Sequence, residues 1–265
     1  MKKYFLVFCF CTAAYSLYSQ SVFTYDIKKD IIIGGLSLGV FASPFFVENT
    51  PSQIPDSLNK NDINDFDRSL MFPYNKPLDM ISDYGVYGML VLPIVSVFGS
   101  AHDINAWLTY GIMYTEAFLL TFGTKDLLKN AIIRYRPYMY EGGVPTGQED
   151  DYYNSFPSGS TSLAFLSATF LSTTFIQEYP DSQWKFPVII GSYSLAAAVS
   201  AIRITSGAHF ITDVLTGAVI GSFYGWIIPF LHKNNSNNNV TVNVAPNGLL
   251  VSLKLFNMRY NNTYV

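Results

Sequence analysis

The chain has 265 residues, enough for one sizeable domain, and carries a net charge of −3 from 16 basic and 19 acidic residues. Hydrophobic residues make up 49% and charged residues 13%, the latter roughly half the share of an average soluble domain. This excludes a disordered chain or a coiled coil, and the missing basic surplus argues against nucleic-acid binding. A multi-span helical membrane protein and an unusually apolar secreted bundle are the classes left.

At the N-terminus, Lys2 and Lys3 precede an apolar stretch over 4–14 and a small polar run over 16–21. That is the layout of a cleavable signal peptide over 1–20; a short retained anchor over 4–18 is the alternative. Cys9 and Cys11, the two cysteines, both lie in it, so cleavage leaves no thiol nucleophile, disulfide or thiolate metal site. Six apolar segments follow over 31–47, 84–99, 107–122, 161–176, 186–202 and 214–231, with few charges between them. Each falls slightly short of the ~20 residues of a spanning helix. Ser162, Ser167, Thr169 and Ser172 fit close helix approach in a membrane bundle, which is favoured over a soluble one. The expected fold is therefore an all-α six-helix bundle over 25–232. An Asn-rich linker over 233–239 and a small β-hairpin in the tail 240–265, turning at Pro246-Asn247-Gly248, are expected to follow. No internal repeat and no metal-ligand spacing is visible.

Three clusters carry candidate chemistry. Lys129 and Arg136 are seven residues apart, about two helical turns, which puts both cations on one face before Pro137 stops the helix. Ser155-Phe156-Pro157-Ser158-Gly159-Ser160-Thr161-Ser162 precedes an apolar segment, where free N–H groups and a close-approach glycine make an anion cradle. Arg203 is followed by His209 and Asp213, whose four-residue spacing places them on one helix face within hydrogen-bond reach. Taken singly these are an interface anchor, an N-cap and a structural pair. Together, three cations that apolar segments do not tolerate idly surround a histidine held by an aspartate. That combination suits phosphoryl transfer through a phosphohistidine, with no metal or other cofactor.

In this order and spacing, Lys129…Arg136-Pro137, Pro157-Ser158-Gly159 and Arg203…His209…Asp213 resemble the signature of the type 2 phosphatidic acid phosphatases (the PAP2 family), relatives of class A acid phosphatases and vanadium haloperoxidases. The resemblance spans 129–213 and implies a six-helix bundle. It also implies that His209 is the nucleophile and Asp213 its orienting partner, with Lys129, Arg136, Arg203, Ser158 and the Gly159 backbone holding phosphate. Two positions depart from the signature. Ile202 stands where a supporting serine is usual, and Ser160 replaces the histidine that protonates the leaving group. A serine does not perform that step at neutral pH, and general-acid help is worth ~10²–10⁴-fold. His102 and His232 stand beyond helix ends on the opposite face. Three readings of Ser160 stay open. One is an anhydride substrate such as a polyprenyl pyrophosphate; another is an acid from the Glu149-Asp150-Asp151 run or a loop tyrosine; the last is a weak or inactive phosphate-binding relative. A haloperoxidase is not expected.

The partners expected from the resemblance are a lipid phosphate or polyprenyl pyrophosphate and the bilayer itself. The expected location is the cell membrane with the site facing the periplasm or outside. After signal cleavage, six crossings would turn the motifs to the cytoplasm, so 31–47 is expected to pack without crossing. A soluble periplasmic acid phosphatase is the alternative.

Overall fold

The computed structural model describes residues 22–47, 49–51, 53–55, 58–100, 104–234, 240–245 and 248–253. The signal segment, both cysteines, His102 and most of the Asn-rich linker lie outside the described residues.

Six long helices form the body: α1 Ile27–Ala42, α2 Lys76–Ser100, α3 Ile104–Ala131, α4 Gly159–Glu178, α5 Lys185–Thr205 and α6 Ile211–His232. A single helical turn, Asp65–Arg68, lies in the loop between α1 and α2. Most of the helices outrun their apolar segments. The apolar stretch 107–122 becomes a helix to Ala131 because its last turns, with Lys125, Asp126 and Lys129, face a polar cleft and not lipid.

The centre is α4, packed against α2, α3, α5 and α6. Several of its interior hydroxyls turn back on their own helix: Ser162 Oγ donates to the Ser158 carbonyl at 2.9 Å and Ser167 Oγ to that of Leu163 at 3.0 Å. Such self-satisfied hydroxyls take little room, which lets helices approach closely. The tightest seam joins α4 to α6, where Gly217, Gly221 and Gly225 recur every four residues against α4. A Cβ at Gly221 would overlap the Ser162 carbonyl, and one at Gly225 would stand 2.7 Å from the Leu166 carbonyl.

The outer surface is apolar where a soluble bundle is polar. Phe186, Ile190 and Leu195 on α5 and Leu215, Val219 and Phe223 on α6 are exposed. Among the described residues, three helical stretches, Ile27–Phe46, Lys185–Thr205 and Ile211–His232, are long and apolar enough to cross a membrane.

The course of α1 bears on the expectation that 31–47 packs without crossing. Its start pairs with the end of α6, with Thr24 N–H donating to the His232 carbonyl at 3.0 Å. Its far end meets the end of α3, where Asn130 Nδ2 donates to the Pro44 and Val47 carbonyls at 2.9 and 2.8 Å. Residues 31–47 therefore run the full length of the bundle and do not stop short of it. The seat is Gly123 of α3, where a side chain would overlap the Val40 carbonyl.

Beyond the helices, Val240–Ala245 and Gly248–Leu253 pair antiparallel, with Val240 opposite Leu253 and Ala245 opposite Gly248.

Candidate active site

An open cleft of about 1370 Å³, counted to its mouth, lies where the C-terminal ends of α3 and α5 meet the N-terminal ends of α2 and α4. Lys129, Arg136, Arg203, His209, Gly159 and Ser160 all line it. The fold thus gathers six of the eight residues singled out in the sequence; Ser158 and Asp213 stand behind its wall.

Lys129 sits in the last turn of α3 and donates to the Asn154 carbonyl at 2.7 Å. Arg136 is not on the same helix, as the seven-residue spacing predicted. The helix ends at Ala131, and the chain then runs extended, with Arg134 N–H bonded to the Tyr153 carbonyl at 3.0 Å and Arg136 N–H to that of Tyr152 at 2.9 Å. The loop over 152–155 captures the backbone that a further helical turn would have used. Buried Arg136 donates Nε to the Asp151 carbonyl and Nη1 to the Ala208 carbonyl, at 2.8 and 3.0 Å, and pairs through Nη2 with the Asp151 carboxylate. That carboxylate is 44% exposed at the mouth, so the pair is weak and open to displacement by an incoming anion.

Arg203 ends α5 and donates Nη1 to Asp79 at 2.5 Å, Ser82 at 3.0 Å and Asp83 at 3.2 Å, all on α2. Its buried Nε has no hydrogen-bond partner, an orphan donor of the kind an anion satisfies. Two residues after α5, Gly207 adopts φ +72° under the Phe72 carbonyl, a position closed to any side chain, and turns the chain to present His209.

His209 and Asp213 do not share a helix face. His209 lies in the connection, Phe210 is the N-cap, and Asp213 belongs to the first turn of α6. His209 Nδ1 is 2.7 Å from the Ser155 carbonyl and 3.7 Å from the Asp213 carboxylate. A carbonyl only accepts, so Nδ1 carries the proton and Nε2 is left unprotonated, an acceptor for the Arg136 guanidinium. Arg136 Nη1 stands 3.3 Å from that Nε2. Burial, then the positive charges of Arg136, Arg203 and Lys129, hold the imidazole well below its ordinary pKa of 6.5, so it is neutral. Asp213 instead accepts from Ser155 Oγ at 2.6 Å, from Phe210 N–H at 2.9 Å and from Arg134. Its carboxylate holds both sides of the histidine's seat.

Ser158, expected to bind phosphate, is the buried N-cap of α4: its hydroxyl donates to Thr161 Oγ1 at 3.0 Å and does not face the cleft. Gly159 does, with Lys125 packed so close that a Cβ there would be 3.0 Å from Cδ. Ser160 follows on the same turn.

Several functional residues carried no local signal. Lys125 lies one turn before Lys129 and lines the cleft, paired to Asp126 at 2.5 Å. Arg134 bridges Asp67, at 2.6 Å, to Asp213, and Asp67 in turn accepts from the Thr212 N–H at 2.9 Å. The counter-charges Asp79 and Asp83 come from the start of α2 and Asp151 from the loop before α4. One signal for Arg134 was available: it is a third cation in the same run as Lys129 and Arg136.

The reading of no metal-ligand cluster also needs correction. The fold brings Asp30, Glu116 and His232 together at the other end of the bundle; the chain keeps them 86 and 116 residues apart, so spacing could not reveal them.

The profile of the PAP2 superfamily matches residues 100–237, more than half of the chain. A PA-phosphatase related-family protein of Dictyostelium discoideum is 31% identical over 152 residues, covering 51% of this chain and 56% of that one. A lipid A 1-phosphatase of Porphyromonas gingivalis is 28% identical over 116 residues, covering 42% and 24%. The chain thus spans about half the length of the first relative and a quarter of the second. Among solved structures, a transmembrane PAP2-type phosphatidylglycerolphosphate phosphatase of Bacillus subtilis is 21% identical with a TM-score of 0.43, covering 76% of this chain and 94% of that one. LpxE of Aquifex aeolicus is 22% identical with a TM-score of 0.37, covering 58% and 86%. The profile match stops before the C-terminal strand pair, which gains no support from it as part of the family's fold. With its sequence matched from the start of α3 through the end of α6, the chain belongs to the PAP2 superfamily.

Proposed function

We propose that the protein is a membrane phosphatase that hydrolyses lipid phosphates or pyrophosphates through a phosphohistidine on His209. The observation that carries this is the unprotonated Nε2 of His209, which lines the cleft and accepts from Arg136 Nη1 at 3.3 Å, a donor that an incoming phosphate can take over, with Lys129 and the orphan Nε of Arg203 on the same cleft. The cleft is also lined by Val86, Leu90, Phe118 and Phe122, from α2 and α3, a surface that suits an apolar tail next to a charged head. The name of the Porphyromonas relative, a lipid A 1-phosphatase, points to the same substrate class.

In the first step Nε2 attacks phosphorus, a P–N bond forms, and the bond to the leaving oxygen breaks with its electron pair. Lys129, Arg136 and Arg203 offset the charge gathering on the other oxygens. Water then attacks phosphorus, the P–N bond breaks, and inorganic phosphate leaves. Ser160 supplies no proton to the leaving oxygen, so the reading favours an anhydride, whose departing phosphate has a pKa of ~6 and needs none. A phosphate-binding relative without turnover is the second reading, and Ser160 is what favours it.

The cleft is proposed to face outward. Because α1 runs the length of the bundle, its start then lies on the inner side, together with Lys28, Lys29, Lys185 and Lys233. With all six helices crossing, a cleaved signal over 1–20 and an outward cleft exclude each other.

The deciding assay is phosphate release from phosphatidate and from a polyprenyl pyrophosphate, with His209→Ala as control. Release confined to the parent protein supports the enzyme. Equal background in both, in folded protein, leaves the binding reading.

A further inference from the structure

At the end of the bundle opposite the cleft, three ionisable side chains meet inside the protein. Asp30 comes from the first turns of α1, Glu116 from the middle of α3 and His232 from the last position of α6. Glu116 lies thirteen residues before Lys129 on α3, about 20 Å along the helix, so the cluster is separate from the phosphate cleft. One donor atom from each residue can be chosen such that all lie within 4.8 Å of one another. His232 is fully buried and Glu116 is 4% exposed.

The polar atoms of this cluster are unsatisfied. Asp30 Oδ1, both Glu116 oxygens and His232 Nε2 are buried without a hydrogen-bond partner. Each leaves about 1–3 kcal/mol of desolvation uncompensated, and more where it is charged. The rest of each group is held. His232 Nδ1 is 3.0 Å from the Ile228 carbonyl, which only accepts, so Nδ1 bears the proton and Nε2 of the neutral ring presents a lone pair. Asp30 Oδ2 accepts the Asp26 N–H at 2.9 Å. These are the outer contacts that fix a metal ligand's orientation.

Nε2 stands 3.1 Å from Asp30 Oδ1 and 3.5 Å from Glu116 Oε2. For a neutral ring and two ionised carboxylates, three acceptors face one another. A proton on Nε2 does not close the cluster, because neither oxygen meets the ring nitrogen in hydrogen-bond geometry. The adjacent ammonium of Lys29 is turned to the Leu231 carbonyl at 2.9 Å. A cation seated between the three atoms satisfies all of them at once.

We propose that Asp30, Glu116 and His232 bind one divalent transition-metal ion that clips α1 to the end of α6. One imidazole with two carboxylates suits zinc first and manganese next, whereas magnesium and calcium prefer all-oxygen shells. A clip has a purpose here, since only 11% of the α1 span is buried. The assignment is independent of what the cleft does.

The test uses full-length protein in detergent, stripped with chelator and desalted, then offered zinc or manganese. Metal content by mass spectrometry and the thermal midpoint are read together. The expected result is one zinc per chain, with a midpoint that falls on chelation and returns with zinc. Glu116→Gln should lose both the metal and the zinc-dependent shift, while His209→Ala keeps both. If Glu116→Gln does not fold, the metal content and chelator response of the parent protein decide. Substoichiometric metal with no midpoint change in the parent, or zinc held equally by Glu116→Gln, would overturn the assignment.

Discussion

His209 donates its Nδ1–H to the backbone carbonyl of Ser155 at 2.7 Å. The proposed nucleophile is therefore oriented by a loop, and Asp213, 3.7 Å away, holds that loop through Ser155 Oγ and the next connection through Phe210 N–H. Arg134, which has no contact with the imidazole, belongs to the same device because it ties Asp213 to Asp67. Asp213→Asn and Arg134→Gln are each expected to lower kcat by about 10–100-fold with a smaller change in KM, the size of one or two lost charge-assisted hydrogen bonds. Steady-state kinetics on both variants checks this. An Arg134→Gln enzyme with parental kcat would show that Asp213 works on the ring directly.

Restoring an imidazole at position 160 tests the anhydride reading. Ser160→His should raise turnover of phosphomonoesters by about 10²–10⁴-fold, the usual worth of a general acid, and leave pyrophosphate turnover nearly unchanged. Comparable gains on both substrates would count against a leaving group that needs no proton.

The pH profile follows from the depressed pKa of His209. The nucleophile must be neutral, and a group whose pKa is lowered stays neutral further into acid. No loss of kcat/KM centred near 6.5, the ordinary histidine value, is therefore expected from this ring. The substrate's own second ionisation falls near ~6, so two substrates of different phosphate pKa are compared. A limb that moves with the substrate belongs to it; a fixed limb near 6.5 would mean that the neighbouring cations do not hold the ring down.

Packing makes its own prediction at Gly221. A methyl group there meets the backbone of α4, which cannot give way as a side chain can. Gly221→Ala should cost about 1–3 kcal/mol of stability by overpacking, visible as a lower thermal midpoint. Gly191→Ala, where a side chain meets nothing within 4 Å, is the matched control and should leave the midpoint unchanged or raise it.

Orientation can be read with single cysteines in a background lacking Cys9 and Cys11. Thr146→Cys lies in the loop beside the cleft, and Gln183→Cys in the connection at the other end, between α4 and α5. In intact cells an impermeant maleimide should label Thr146→Cys and not Gln183→Cys. The reverse pattern would place the cleft inside.

The polar lining of the cleft was legible because its residues announce themselves by type. Lys129, Arg136, Arg203 and His209 sit between apolar segments where a charge is unexpected, and six such segments give the bundle. Partnerships were not legible, because they are tertiary. Nothing near Arg203 in sequence names Asp79, and nothing near His209 names the Ser155 carbonyl as its acceptor. The run Ala131-Ile132-Ile133 continues an apolar helix pattern, yet α3 ends there since carbonyls from Tyr152 and Tyr153, some twenty residues on, claim the backbone. Ser158 showed the ambiguity of a helix start, where one hydroxyl serves equally as cap or ligand.

The glycine seam between α4 and α6 bears on more than packing. At the head of one helix stands the Gly159-Ser160 turn, and just before the other stands His209. Backbone lies on backbone along the seam, so the gap between the proposed attacking nitrogen and the proposed phosphate seat is set like the jaws of a fixed gauge. Changes of bilayer thickness or of lipid tail should not open it. Accommodation of different tails falls instead to the wall with Leu90 and Phe118, on α2 and α3, which lies outside this seam. Variation in substrate taste among close relatives is then expected on that wall, with the α4–α6 seam unaltered.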